Sequence, residues 1–170
     1  IEYAHRAMRL DQGNYDYVQV LAYTQYLRAT DIYKSLKTGR IPESRKAEMT
    51  ADMVKSLNQS EAAYRQLLNS PDREKIKSAN FRLGQIDYFR GTKILTNDTQ
   101  AAASLRKAIA SYLAAYEIDP PDYREVLQIG ICNFRLMDYD QAELWLEKAQ
   151  EVAAADPTGR PPKEAFFYLA

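Results

Sequence analysis

Apolar residues recur at helical spacing along most of this chain, as in Tyr64, Leu67 and Leu68 or in Leu144, Leu146 and Val152. Strand signals are absent. Between the periodic segments lie residues that interrupt helices: Gln12-Gly13-Asn14, Thr38 to Pro42, Asn69 to Asp72, Gly91, Asn97-Asp98, Pro120-Pro121 and Pro157 to Pro162. The pattern predicts helices over 2–11, 15–37, 43–69, 73–90, 99–118, 122–136, 139–155 and 162–170. Short connections between amphipathic helices give antiparallel neighbours, so the fold class is all-α.

Two of these stretches carry the same punctuation. One runs from Leu83-Gly84 through Leu105, Ala108, Tyr112 and Ala115 to Pro120, and the other from Ile129-Gly130 through Tyr139, Ala142, Leu146 and Ala149 to Pro157. The two glycines lie 46 residues apart, which is a helix-turn-helix period of about 34 plus the 12 residues inserted between Arg90 and Leu105. Aligning Tyr64 with Tyr112 extends the pattern backwards, with Leu57 on Leu105, Ser60 on Ala108 and Leu67 on Ala115. Each residue type has a physical task. Gly84 and Gly130 lack a Cβ and let a partner helix come close, which offsets the roughly 1 kcal/mol that glycine costs inside a helix. Ala108, Ala115, Ala142 and Ala149 do the same from the other side, and the prolines end helices.

These spacings resemble the tetratricopeptide repeat family, in which a Leu-Gly pair marks the first helix and an aromatic-Ala-aromatic-Ala series marks the second, closed by Pro. The match covers residues 73–157 well, is weaker elsewhere, and in the last repeat the Pro arrives late. The resemblance implies a right-handed α-solenoid of stacked antiparallel helix pairs, about three repeats plus partial terminal helices, in one domain over 1–170. Its parts are an N-terminal helix at 2–12, a divergent long pair at 15–69, a repeat with the insertion at 73–120, a repeat at 122–157, and the start of a further repeat at 161–170. Residues 2–12 alternatively belong to a unit whose start lies before Ile1, which would shift the pairing of 15–37. The chain is expected to be a fragment of a longer protein.

In such a stack the first helices line a concave groove. The resemblance places Ser78, Phe81, Gln85, Tyr88 and Phe89 in it from one unit, and Arg124, Leu127, Ile131, Phe134 and Arg135 from the next, with Glu164 and Phe167 added by the last partial helix. Family members that grip a peptide carboxylate present Lys and Asn on these faces, where this chain has Phe81, Gln85, Arg124 and Gln128, so a carboxylate clamp is not expected. A largely apolar groove suits an extended segment or an amphipathic helix that brings its own anchors. The competing reading is that Phe81, Tyr88 and Phe134 pack against neighbouring helices.

Composition narrows the function classes. Lys plus Arg and Asp plus Glu balance at 23 each, so no global field attracts nucleic acid, and no apolar run approaches the roughly 20 residues needed to span a bilayer. The first residue is Ile, which implies a cut or processed N-terminus and leaves the compartment open between cytoplasm and periplasm. The single cysteine, Cys132, reads as a small buried hydrophobe, and the single histidine, His5, has no second ligand nearby, so metal binding and Ser/His or Cys/His catalysis lack their minimum parts. The acid pairs Asp138/Asp140 and Glu143/Glu147 read as a turn cap and a solvated helix face.

Tyrosine is abundant at 13 residues, six of them within the first 33 positions, and either serves a partner or spans the first helix pair with hydroxyls at the rim. In the insertion Gly91–Gln100, Gly91 is expected to end a helix and Asn97, Asp98 or Thr99 to cap the next. Ile94 and Leu95 either fold onto the helix ends or meet something outside this chain. The expectation is a non-catalytic scaffold without cofactor that binds a protein or peptide. Self-association, a structural role in a larger assembly and small-ligand binding remain as alternatives.

Overall fold

A computed structural model describes residues 14–118 and 122–155. Among these residues there are helices and no strands: α1 (Tyr15–Lys37), α2 (Glu43–Leu67), α3 (Arg73–Phe89), a π-helical turn (Arg90–Ile94), α4 (Asp98–Tyr116), α5 (Tyr123–Arg135) and α6 (Tyr139–Ala155). No helix of the described residues is long and apolar enough to cross a membrane. The expected helices at 2–11 and 162–170 lie outside the described residues. The chain divides into two compact units at Pro71/Asp72.

Side-chain caps explain most of the helix starts. Asn14 accepts from the Asp16 amide at 3.1 Å, Asp72 from Glu74 at 3.0 Å, Asn97 from Gln100 at 3.0 Å, Asp122 from Arg124 at 2.9 Å and Asp138 from Gln141 at 3.3 Å. Each satisfies an amide that the first helical turn leaves without a partner. Between α1 and α2 the chain turns through Gly39, whose φ of 69° is left-handed.

In the first unit α1 packs on α2. The buried stripe of α1 is Val18, Leu21, Ala22, Gln25 and Ala29, and that of α2 is Met53, Ser56, Leu57, Ser60, Ala63, Tyr64 and Leu67. Ser60 Oγ donates to the Ala22 carbonyl at 2.7 Å, and the Tyr15 hydroxyl donates to the Asn69 carbonyl at 3.0 Å. The tyrosines of α1 divide: Tyr15, Tyr26 and Tyr33 are half-buried, whereas Tyr17 and Tyr23 are exposed.

In the second unit each helix packs on the next, α3 on α4, α4 on α5 and α5 on α6. The two glycines occupy equivalent settings. A methyl group at Gly84 would lie 2.6 Å from Tyr112 Cε1, and one at Gly130 would lie 2.7 Å from Leu146 Cγ. Tyr112 and Leu146 are the residues that the repeat alignment equates. The buried registers agree as well: Leu105, Ala108, Tyr112 and Ala115 on α4, Ala142, Leu146 and Ala149 on α6, and Leu57, Ser60, Tyr64 and Leu67 on α2. Tyr139, equated with Leu105, is the exception. It is the exposed first residue of α6, with its ring edge-on to Phe134 at 5.7 Å.

Gly91 does not end a helix. The backbone continues through it into the π turn, closed by Leu95 N–H to the Arg90 carbonyl at 3.0 Å, before Asn97 starts α4. Gly91 is buried because α4 comes close, with the Ala101 carbonyl 3.0 Å and Leu105 Cγ 3.2 Å from where a Cβ would stand. Ile94 and Leu95 are half-buried.

Candidate binding cleft

All features of this site lie within the second unit. Helices α3 and α5 are the first members of two successive pairs, and α4, packed on both, holds them in place. Between them run two contiguous hollows that share Phe81, Arg82 and Arg124. The larger, of about 320 Å³, is lined by Phe81, Arg82, Gln85, Tyr123, Arg124, Leu127, Gln128 and Ile131. The smaller, of about 210 Å³, is lined by Glu74, Lys77, Ser78, Phe81, Arg82, Asp122, Arg124 and Glu125.

Six residues assigned to the groove from the sequence therefore share this cleft: Ser78, Phe81, Gln85, Arg124, Leu127 and Ile131. Three others do not line it. Tyr88 packs against the core on both sides, Phe134 is 36% exposed beside Tyr139, and Arg135 is exposed at the end of α5. Phe89 is half-buried at the end of α3 and is not part of the lining. Phe167 and Glu164 lie outside the described residues.

The cleft is more polar than the groove expected from the sequence. Leu127 and Ile131 are drawn into the core with Val126, Ala142, Leu146 and Ala149, so they form its floor and expose little. The mouth is left to Arg82, Gln85, Arg124 and Gln128. Phe81 has two tasks, since it lines both hollows while its ring packs at 5.5 Å on Tyr112.

The electrostatics of the smaller hollow are uneven. Asp122 receives the Arg124 guanidinium and its backbone amide, and these, with help from Lys77, hold its carboxyl below the usual range against the opposing effect of burial. Glu125 is only 4% exposed. Burial pushes its carboxyl up and the Asp122 charge adds to this, while Lys77 and the Asp122 backbone amide pull the other way. The Lys77 ammonium stands 3.6 Å from Glu125 Oε1, and no donor among the described residues reaches Oε2. The groove positions assigned from the sequence include Arg124 but not its neighbour Glu125. A signal for it is present in Asp122-Tyr123-Arg124-Glu125, an N-cap followed three residues later by Glu, which directs a carboxylate back over the helix start.

Other candidate chemistry is dispersed. Cys132 is fully buried and desolvation pushes its thiol up to about 12, which leaves it protonated and inert at neutral pH. Asp138 caps α6, while Asp140, Glu143 and Glu147 are exposed. Among the described residues no three His, Cys, Asp or Glu side chains are placed to hold a metal ion. His5 lies outside them. No model of a known protein family matches the chain, and no curated protein matches it.

Proposed function

We propose that this chain is a non-catalytic binding scaffold of the tetratricopeptide kind, in which a right-handed stack of helix pairs presents the α3/α5 cleft to an extended peptide segment of a partner protein. One observation carries the reading. Ser78, Phe81 and Gln85 from one first helix and Arg124, Leu127 and Ile131 from the next line one cleft, on a unit whose two pairs close through the same glycine contact. Such a cleft offers an aromatic wall, an apolar floor and polar groups at the mouth. An extended peptide uses these by setting alternate side chains into the floor and its backbone amides against Gln85 and Gln128.

The test is selection of peptides from a random display library by the full chain, followed by affinity measurements on variants. Phe81→Ala and Gln85→Ala are expected to weaken the selected peptides, Phe81→Ala by about tenfold or more as the aromatic anchor. Because Phe81 also supports Tyr112, Gln85→Ala and Gln128→Ala provide variants outside the core. Undiminished binding by all three folded variants would remove the cleft from consideration.

A further inference from the structure

The inner end of the cleft has a charge preference that goes beyond the peptide-binding reading while resting on it. Around the smaller hollow stand three carboxylates, Glu74, Asp122 and Glu125, and two cations, Lys77 and Arg124; the third cation, Arg82, donates instead to Gln85 at 2.8 Å. Arg124 is taken up by Asp122 through both its Nε and its guanidinium amine. The single Lys77 ammonium is shared, because it acts on Asp122 as well as on Glu125. One negative charge is therefore left over. It resides on Glu74, which is exposed, and on Glu125, whose Oε2 has no donor among the described residues.

A buried acceptor without a donor costs about 1–3 kcal/mol, and more when the group is charged. A ligand that brings a donor to it recovers that cost on binding. Oε2 lies just beneath the cleft surface, and the last torsion of a Glu side chain is broad, so a modest rotation turns it towards the hollow. The space is suitable: about 210 Å³ corresponds to roughly seven waters at about 30 Å³ each, room for one long side chain. We propose that this end of the cleft receives one basic side chain of a bound peptide, with Glu125 as the inner acceptor and Glu74 as the outer one. Arginine is favoured over lysine, because its planar fork reaches two acceptors at once while its stem packs along the Phe81 ring.

The probe is a positional-scanning library of short synthetic peptides, built on a sequence selected by the full chain and varied one position at a time among Arg, Lys, Gln, Leu and Glu. The expected result is one position at which Arg binds about tenfold more tightly than Leu, with Lys between them. In Glu125→Gln the Arg-to-Leu ratio at that position should fall towards unity. In Glu74→Gln, an exposed change that leaves the core untouched, it should fall severalfold; this variant decides the matter if circular dichroism shows Glu125→Gln to be unfolded. A preference for Glu at that position would make Lys77, Arg82 and Arg124 the receptor and overturn the proposal. So would tight binding with no basic preference anywhere, or a ratio unchanged in both variants. If no library member binds the wild-type chain, the peptide-binding reading itself fails, which separates the two failures.

Discussion

The first helix pair and the pairs of the second unit solve the same packing problem by different means. In α3/α4 and α5/α6 the contact is made by removing a side chain: Gly84 receives the Tyr112 ring and Gly130 receives Leu146. In α1/α2 there is no glycine within either helix, and contact is made by small residues and a hydrogen bond, with Ala22 and Ala29 fully buried and Ser60 Oγ on the Ala22 carbonyl. The first solution is intolerant of added volume. The second introduces polar groups into an interface where each needs a partner, and Gln25 Oε1 has none among the described residues. The long pair also keeps apolar residues in water, with Val20 and Leu27 exposed on α1 and a shallow strip of Ala47, Ala51, Val54 and Ala62 exposed on α2.

The largest effects should come from the residue that both solutions share. Tyr64 and Tyr112 are equated by the repeat alignment and are 1% and 0% exposed. Truncating either to Ala should cost about 3–5 kcal/mol, as for other large buried aromatics. Denaturant unfolding measures this, and the sole tryptophan, Trp145, reports on the second unit by fluorescence. A loss well below that range at Tyr64 alone would show that the first pair is packed less tightly than its register suggests.

Next come the glycines. Gly84→Ala and Gly130→Ala would be stabilising by roughly 1 kcal/mol if only helix propensity counted. The contacts of 2.6 and 2.7 Å reverse the sign, and a net cost of about 1–3 kcal/mol is expected. Gly130→Ala should be the worse of the two, since the Leu146 backbone nitrogen also lies within 3.2 Å and cannot rotate away. Stabilisation by either variant would show that the partner side chain moves freely, and would weaken the comparison with the first pair.

The first unit should respond with the opposite sign to its own adjustment. Gln25 is 1% exposed, and its Oε1 is buried without a donor. Gln25→Met keeps the length and flexibility of the side chain and removes the amide, so a gain of about 1 kcal/mol is expected in denaturant unfolding. A loss of similar size would mean that the amide nitrogen contributes more than the carbonyl costs.

Much of the helix order was legible in the sequence because capping residues mark helix starts chemically. Asn14, Asp72 and Asp122 each stand directly before an apolar-periodic run, and α1 and α6 fall at 15–37 and 139–155 as the pattern predicts. The end of α3 was not legible, because glycine has two uses that look the same in one dimension. Gly39 is needed for a left-handed φ, whereas Gly91 is needed for close approach by α4. The cleft was partly legible for a related reason. α5 is packed by α4 on one side and α6 on the other, so buried residues run almost without a break from Glu125 to Asn133. Periodicity that separates one buried face from one exposed face cannot rank residues on a helix buried on two, and Leu127, Ile131 and Glu125 are where this matters.

The smallest predicted effect concerns a residue whose backbone conformation nothing in the sequence pattern announced. Met137 has a φ of 61°, left-handed for a residue with a Cβ, and it stands between α5 and α6. The chain leaves α5 there through bonds from the Met137 amide to the Phe134 carbonyl and from the Asp138 amide to the Asn133 carbonyl, each 3.0 Å, which close the helix end and require that conformation. At 73% exposure the Met side chain contributes little packing in return. Met137→Gly relieves a left-handed penalty of about 1–2 kcal/mol and adds unfolded-state freedom worth roughly 0.5–1 kcal/mol, so a net gain of about 0.5 kcal/mol is expected. Met137→Ala keeps the Cβ and should change stability little. A gain in Ala equal to that in Gly would place the cost in the exposed side chain rather than in the backbone, and the turn that sets α6 against Gly130 would then be unstrained.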